Sequence, residues 1–160
     1  MYFMLKLSIP GFKDKILIYH LVLDFNGTLA IDGKLIKGVR KALTALSKNI
    51  NIHILTGDTH GTAKEELMGI PCKIELLSKK NQAEQKEKHI RKLDPSTVIS
   101  IGNGRNDKLM LKASIIGIIV IQGEGASAET LMSSNIVCRD ILSALDLISN
   151  PSRLTATLRT

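Results

Sequence analysis

LDFNGTLA, residues 23–30, closes an apolar run that begins at Ile16, and its reading decides the fold. The run predicts a strand over 16–25, so Asp24 stands at its end with a carboxylate held at the edge of a sheet. Gly27 permits a sharp turn that presents backbone N–H groups to an anion. Thr28 adds a hydroxyl. The plain alternative for an isolated D-x-N-G-T is an aspartate that caps a turn.

Two further stretches share this organisation. ILTGDTHGTA (54–63) and IGNGRNDKLMLKAS (101–114) each follow an Ile/Leu/Val strand and lead towards a helix. In an open parallel α/β sheet, ligands bind outside the carboxyl ends of the strands. Thr56 follows NIHIL and precedes Gly57, and its hydroxyl is in a position to reach a phosphoryl oxygen. Read locally, Thr56, Asp58 or Thr59 instead caps the helix starting near His60, and His60 reads as a loop histidine facing solvent. In the third stretch Gly102 and Gly104 make a tight turn bearing Asn103, Asn106 and Asp107. A carboxylate after such a turn suits a hard cation, and Mg²⁺ takes one or two protein carboxylates with phosphate oxygens and water. Asp107 also sits near a helix start, where the helix dipole favours a carboxylate in any case.

Periodicity extends the picture. Strands are predicted at 2–8, 16–25, 51–55, 72–76, 97–101, 115–120 and 135–138. Helices are predicted at 37–48, 60–68, 80–93, 105–113, 126–133 and 139–149. In the first helix Val39, Leu43 and Leu46 form one buried stripe. In the helix over 80–93, Ala83, Ile90 and Leu93 define the apolar face, and Lys86 lies on it. An inward lysine is costly without an anion to pair with; a lysine snorkelling at the helix edge is the alternative. The alternation predicts an α/β protein: a three-layer, Rossmann-like parallel sheet with helices on both faces. Pro10-Gly11 between two apolar runs predicts an N-terminal β-hairpin. Residues 1–150 are expected to form a single domain. Asn150-Pro151 ends its last helix, leaving a tail, 151–160, in which Leu154 and Leu158 lie one turn apart and face either the core or another subunit.

Composition narrows the function classes. A chain of 160 residues with 44% hydrophobic and 23% charged residues is ordinary for a globular domain. No apolar run approaches the ~18–20 residues of a membrane span, and the start lacks the features of a secretory signal; a cytoplasmic location is expected. Cys72 and Cys138 have no metal-site spacing and read as free thiols. The net charge of +7 is spread along the chain and aromatics make up 3% of residues, so nucleic acid is not the expected partner.

Taken together, these motifs resemble those of the haloacid dehalogenase superfamily, in particular the phosphorylation domain of P-type cation-transporting ATPases and its small soluble relatives. LDFNGTLA resembles D-x-[DT]-G-T-[LV], ILTGDTHGTA resembles T-G-D-x-x-x-T-A, and IGNGRNDKLMLKAS resembles G-D-G-x-N-D-x-x-x-L-x-x-A. The resemblance runs from about residue 16 to 148. It implies a phosphohydrolase in which Asp24 is the nucleophile and forms an aspartyl-phosphate, with Thr56 and Lys86 as its catalytic partners. It further implies phosphate contacts from Gly27, Thr28, Thr56, Gly57, Lys86 and Asn106, and Mg²⁺ held by Asp24, the Asn26 carbonyl, Asn103 and Asp107.

Two departures bear on activity. Asn26 stands where family phosphatases carry the aspartate that protonates the leaving group and activates water. General acid–base help is worth ~10²–10⁴-fold, so slow turnover is expected. Asn103 stands where the family has a metal-binding aspartate, so weaker Mg²⁺ binding is expected. Asp24 and Thr56 are 32 residues apart and Thr56 and Lys86 are 30 apart, which leaves no room for a cap domain. The implied substrate is a phosphorylated small molecule or a bulky phospho-substrate, and closure by another subunit would fit a homo-oligomer. The competing expectation is a phosphate- or partner-binding module without turnover.

Overall fold

The computed structural model describes residues 4–58 and 61–160; the expectation for His60 lies outside them. The chain opens with an antiparallel hairpin, β1 (Leu5–Ile9) and β2 (Lys13–Ile18), turning at Pro10-Gly11 as its sequence predicts. The run expected as one strand over 16–25 is two. After Tyr19 the chain leaves the hairpin and enters the main sheet as β3 (His20–Asp24). The change of sheet occurs at Tyr19, whose N–H donates to the Thr97 carbonyl and whose own carbonyl accepts from the Asn51 N–H.

A small antiparallel hairpin follows, β4 (Ala30–Ile31) and β5 (Lys34–Leu35), turning through Asp32-Gly33 at positive φ. Two-residue strands carry too little periodicity to be read from sequence. Then come α1 (Val39–Leu46), β6 (Asn51–Thr56), α2 (Thr62–Glu66), β7 (Lys73–Leu76), α3 (Gln82–Lys92) and β8 (Val98–Gly102). The helix expected at 105–113 begins as a 3₁₀ turn over Arg105–Asp107 and continues as α4 (Lys108–Ala113). The chain continues through β9 (Ile116–Val120), α5 (Ala128–Leu131), β10 (Ile136–Cys138), α6 (Ile141–Ser149) and α7 (Pro151–Leu158).

The main sheet has the order β10-β9-β8-β3-β6-β7 with every pair parallel. Alternate side chains serve its two faces. Leu21 and Leu23 enter one core with Val39, Leu43, Ile141, Leu145 and Leu154 of α1, α6 and α7. Val22 points the other way, into a second core with Leu55, Ile90, Met110 and Leu111 of β6, α3 and α4. Strands β8 and β9 are fully buried, which explains their apolar runs. Helix α7 lies against β1 and closes the open side of the hairpin. From β3 the chain first builds outward through β6 and β7, then returns to the opposite side of β3 through β8. That reversal makes the carboxyl end of β3 the switch point, where α/β sheets bind ligands.

Candidate active site

Three loops leave the sheet side by side at this switch point. Asp24 is the last residue of β3, Thr56 the last of β6, and Asn103 follows the end of β8. Lys86 comes up beneath them from α3. Its ammonium is 1% exposed and donates to Asp24 Oδ1 at 2.7 Å and to Asp107 Oδ1 at 2.6 Å. The inward lysine of the helical pattern is therefore paired twice, and the snorkelling alternative is excluded. Burial alone would lower its pKa, but the two carboxylates outweigh that and hold it well above the ordinary lysine value, so it stays charged. The Asp24 carboxyl is pushed up to about 6, first by burial and then by the neighbouring Asp107 charge, while Lys86 and Thr28 pull it back.

The other Asp24 oxygen, Oδ2, accepts from Thr28 Oγ1 at 3.0 Å. Gly27 turns the chain at φ 83°, and its N–H is spent on the Ala30 carbonyl at 2.7 Å. A side chain at 27 would strike Asn103, whose amide lies within 2.5–2.8 Å of an added Cβ. Gln122 fastens the turn from above, donating to the carbonyls of Gly27 and Thr28 at 3.0 and 2.6 Å while accepting from the Ile141 N–H.

Above Asp24 opens a cavity of about 540 Å³, lined by Asp24, Asn26, Thr56, Gly57, Lys86, Asn103 and Asn106 among the expected residues, and also by Asp58, Gln82, Gly104 and Glu124. Three expected residues are absent from that lining. Gly27 and Thr28, expected to touch phosphate, have their N–H groups and hydroxyl engaged within the turn, and Thr28 is fully buried against Asp24. Asp107, expected as a metal ligand, is also fully buried. Its Oδ1 meets Lys86, and its Oδ2 accepts the N–H groups of Asn103 and Gly104 at 3.0 and 2.9 Å. These three groups are engaged by neighbouring protein groups and shape the cavity floor without lining its opening. Gly102 allows the close approach, since a Cβ there would lie 2.5 Å from Asp107 Cγ.

Sequence reasoning missed Gln82 and Glu124. Gln82 lies one helical turn before Lys86, accepts from Asn106 Nδ2 at 3.0 Å and extends its Nε2 over Gly57; its i, i+4 spacing to Lys86 was the available signal. Glu124 sits in Gly123-Glu124-Gly125 beyond β9, another glycine turn at the same sheet edge. The Gly125 carbonyl accepts from Asn103 Nδ2 at 3.0 Å, which ties this turn to the cavity. The cavity lining offers the carboxylates of Asp24, Asp58 and Glu124 and amide oxygens, all hard oxygen ligands of the kind Mg²⁺ takes. Among the described residues no three His, Cys, Asp or Glu side chains are grouped to hold a metal. The fit is thus to a hard cation bound with few protein charges.

Comparison with known proteins agrees with this fold. No family model matches the chain. It is 51% identical over 71 residues to the uncharacterized protein MJ0073 of Methanocaldococcus jannaschii, covering 44% of this chain and 76% of that one. It is 30% identical over 128 residues to the probable copper-transporting ATPase HMA5 of Arabidopsis thaliana, covering 76% of this chain but 12% of the ATPase. Among solved structures, the 3-deoxy-D-manno-octulosonate 8-phosphate phosphatase of Moraxella catarrhalis, in complex with magnesium, phosphate and KDO, superimposes with a TM-score of 0.69 at 17% identity, over 89% of this chain and 94% of that one. A zinc-transporting PIB-type ATPase in its E2.Pi state matches with a TM-score of 0.59 at 26% identity, over 77% of this chain and 20% of the ATPase. Sheet topology and these likenesses define the class of fold: it is of the haloacid dehalogenase type. Within it the chain resembles the P-type ATPase phosphorylation domain, and among the described residues no helix is long and apolar enough to cross a membrane.

Proposed function

We propose that the chain is a Mg²⁺-dependent phosphohydrolase that hydrolyses phosphate monoesters through an aspartyl-phosphate on Asp24. The observation that carries this reading is the buried ammonium of Lys86 bridging Asp24 and Asp107 directly under an open cavity. Such a bridge fixes one Asp24 oxygen, leaves the carboxylate at the cavity floor, and supplies positive charge where a phosphoryl group would gather negative charge. A carboxylate oxygen of Asp24 attacks phosphorus, and the bond to the ester oxygen breaks. The departing oxygen takes its proton from solvent, because Asn26 has none to give. Water then attacks phosphorus, the acyl-phosphate bond breaks, and inorganic phosphate leaves with Asp24 regenerated. Thr56, Gly57 and Asn106 hold the phosphoryl oxygens, and Thr28 keeps Asp24 in orientation. Asp24, Asn26 and Asn103 would hold Mg²⁺, with Asp107 acting behind them by fixing Lys86 and the 103–104 amides. The ion's contribution is charge neutralisation of the phosphoryl group.

The experiment is a phosphomonoester panel assayed with Mg²⁺ and with chelator on wild type, Asp24→Ala and Asn26→Asp. Slow Mg²⁺-dependent turnover is expected in wild type, none in Asp24→Ala, and a gain on the order of 10²-fold in Asn26→Asp. If neither wild type nor Asn26→Asp turns over any ester, the reading fails. Asn26 and Asn103 together favour a second reading, a phosphate-binding module without turnover. That reading predicts a Mg²⁺- and Asp24-dependent thermal shift with beryllofluoride but no released phosphate in any variant. The 540 Å³ opening suits a phosphorylated small molecule or a larger phospho-substrate approaching unhindered.

A further inference from the structure

On the α3 side of the sheet, away from the cavity, three histidines from three elements stand in line. His20 at the start of β3 places Nδ1 3.0 Å from His53 Nε2, and His53 Nδ1 lies 3.3 Å from His89 Nε2 of α3. His89 Nδ1 reaches Glu75 Oε2 of β7 at 2.6 Å. His53, in the middle, is buried, and the rings meet edge to face at 5.0 and 5.2 Å between centroids. The two contacts use opposite nitrogens of His53, so the rings form a chain and do not converge on a point where a metal would sit.

Proton counting gives the chain a definite capacity. Each nitrogen-to-nitrogen contact holds one hydrogen and no more, because two N–H groups cannot face one another. With all three rings neutral, His20 donates to His53, His53 to His89, and His89 to the Glu75 carboxylate, and every contact is made. One added proton fits on the outer Nε2 of His20 without disturbing any of them. A second finds no free ring nitrogen, so on the rings it must break a ring-to-ring contact. Lys86 lies three residues before His89, one turn along the same helix.

We propose that His20, His53, His89 and Glu75 form a proton-limited latch that fastens α3 to the sheet and so positions Lys86 under Asp24. The latch is closed with up to one added proton and is released by the second. Its consequence for Lys86 rests on the function proposed above; the latch itself does not. Burial and the neighbouring lysines act in the same direction. Burial first, then Lys73 on β7 and His89, lowers the pKa of His20; His53 is lowered to about 3 by burial, its two partner rings and Lys73. His89 is lowered by burial, with Glu75 opposing and Lys92 and Lys73 adding to the effect. Tyr19 is the remaining ring beside His20. Neutral rings are thus the folded form, and stability from this chain is complete above the unfolded histidine value of about 6.5 and is lost as pH falls below it.

The test is hydrogen–deuterium exchange of the α3 amides between pH 7.5 and 5, corrected for intrinsic exchange and referred to α6 on the opposite face. Opening linked to one proton should weaken α3 protection about 30-fold from pH 7.5 to 5 in wild type. His89→Gln keeps an acceptor for His53 Nδ1–H but cannot be protonated, so the extra loss of α3 protection should vanish. His20→Gln removes the free nitrogen, so the first added proton already breaks the His53–His89 contact and the loss should persist. Equal behaviour of the two variants, or no acid-linked loss specific to α3 in wild type, overturns the latch. The exchange data need no turnover, so an enzyme without activity but with this variant pattern would sink the phosphatase reading and leave the latch standing.

Discussion

Replacing Lys86 by methionine tests the centre of the site through stability alone. The change removes an ammonium that is 1% exposed and leaves Asp24 and a fully buried Asp107 side by side without a counter-charge. Breaking a buried ion pair from one side costs about 3–5 kcal/mol, which for a domain of this size corresponds to a melting temperature lower by roughly 6–20 °C. The loss should depend on pH. The Asp24 carboxyl is already near 6 with Lys86 beside it, and without that ammonium it must rise further. The native variant then binds a proton that the unfolded chain, with carboxyls near 3.9, does not. Its stability therefore recovers as pH falls from neutrality, by up to about 1.4 kcal/mol per pH unit where the pair titrates. Urea unfolding of wild type and Lys86→Met at pH 7.5 and 5 measures both effects, and adding Asp107→Asn to the variant should return part of the deficit at pH 7.5. A deficit under about 1 kcal/mol, or one identical at both pH values, would show that the bridge is not what holds these three elements together.

Gly27→Ala combines a φ of 83° with a Cβ inside contact distance of the Asn103 amide, whereas Gly125→Ala has φ 72° and nothing within 4 Å. The first should cost roughly 2–4 kcal/mol by denaturation and the second about 1, since it carries the backbone strain alone. Glu124→Lys replaces an exposed acid on the cavity wall, so inorganic phosphate measured by calorimetry should bind a few-fold more tightly, and the gain should shrink at 0.5 M salt.

Where the sequence was legible, the reason is local. Asp24, Thr56 and Asn103 each stand at the end of an apolar strand with a glycine within three residues, and a parallel sheet puts all such ends on one edge. Lys86 was legible because a charged residue on the apolar face of a helix needs a partner. The direction in which a side chain finally points was not legible. The spacing of Asp107 fits a metal ligand and a helix-start acid equally well, and packing against Gly102 turned it towards Lys86 and the 103–104 amides. Gly27 and Thr28 read as phosphate contacts because their chemistry allows it; the four-residue turn consumed that chemistry internally.

The histidine chain shows the limit most clearly. His20, His53 and His89 are separated by more than thirty residues at each step and carry no common motif. What the sequence by itself determined is the periodicity of each element, the turn chemistry at strand ends, and hence an α/β sheet with an aspartate at its switch point, since these follow from interactions between near neighbours. The tertiary structure alone decided which polar groups meet across the sheet and how many protons or ligands each can still accept. That outcome depends on strand register and helix placement, which are set by the packing of the whole core and by no single stretch of chain.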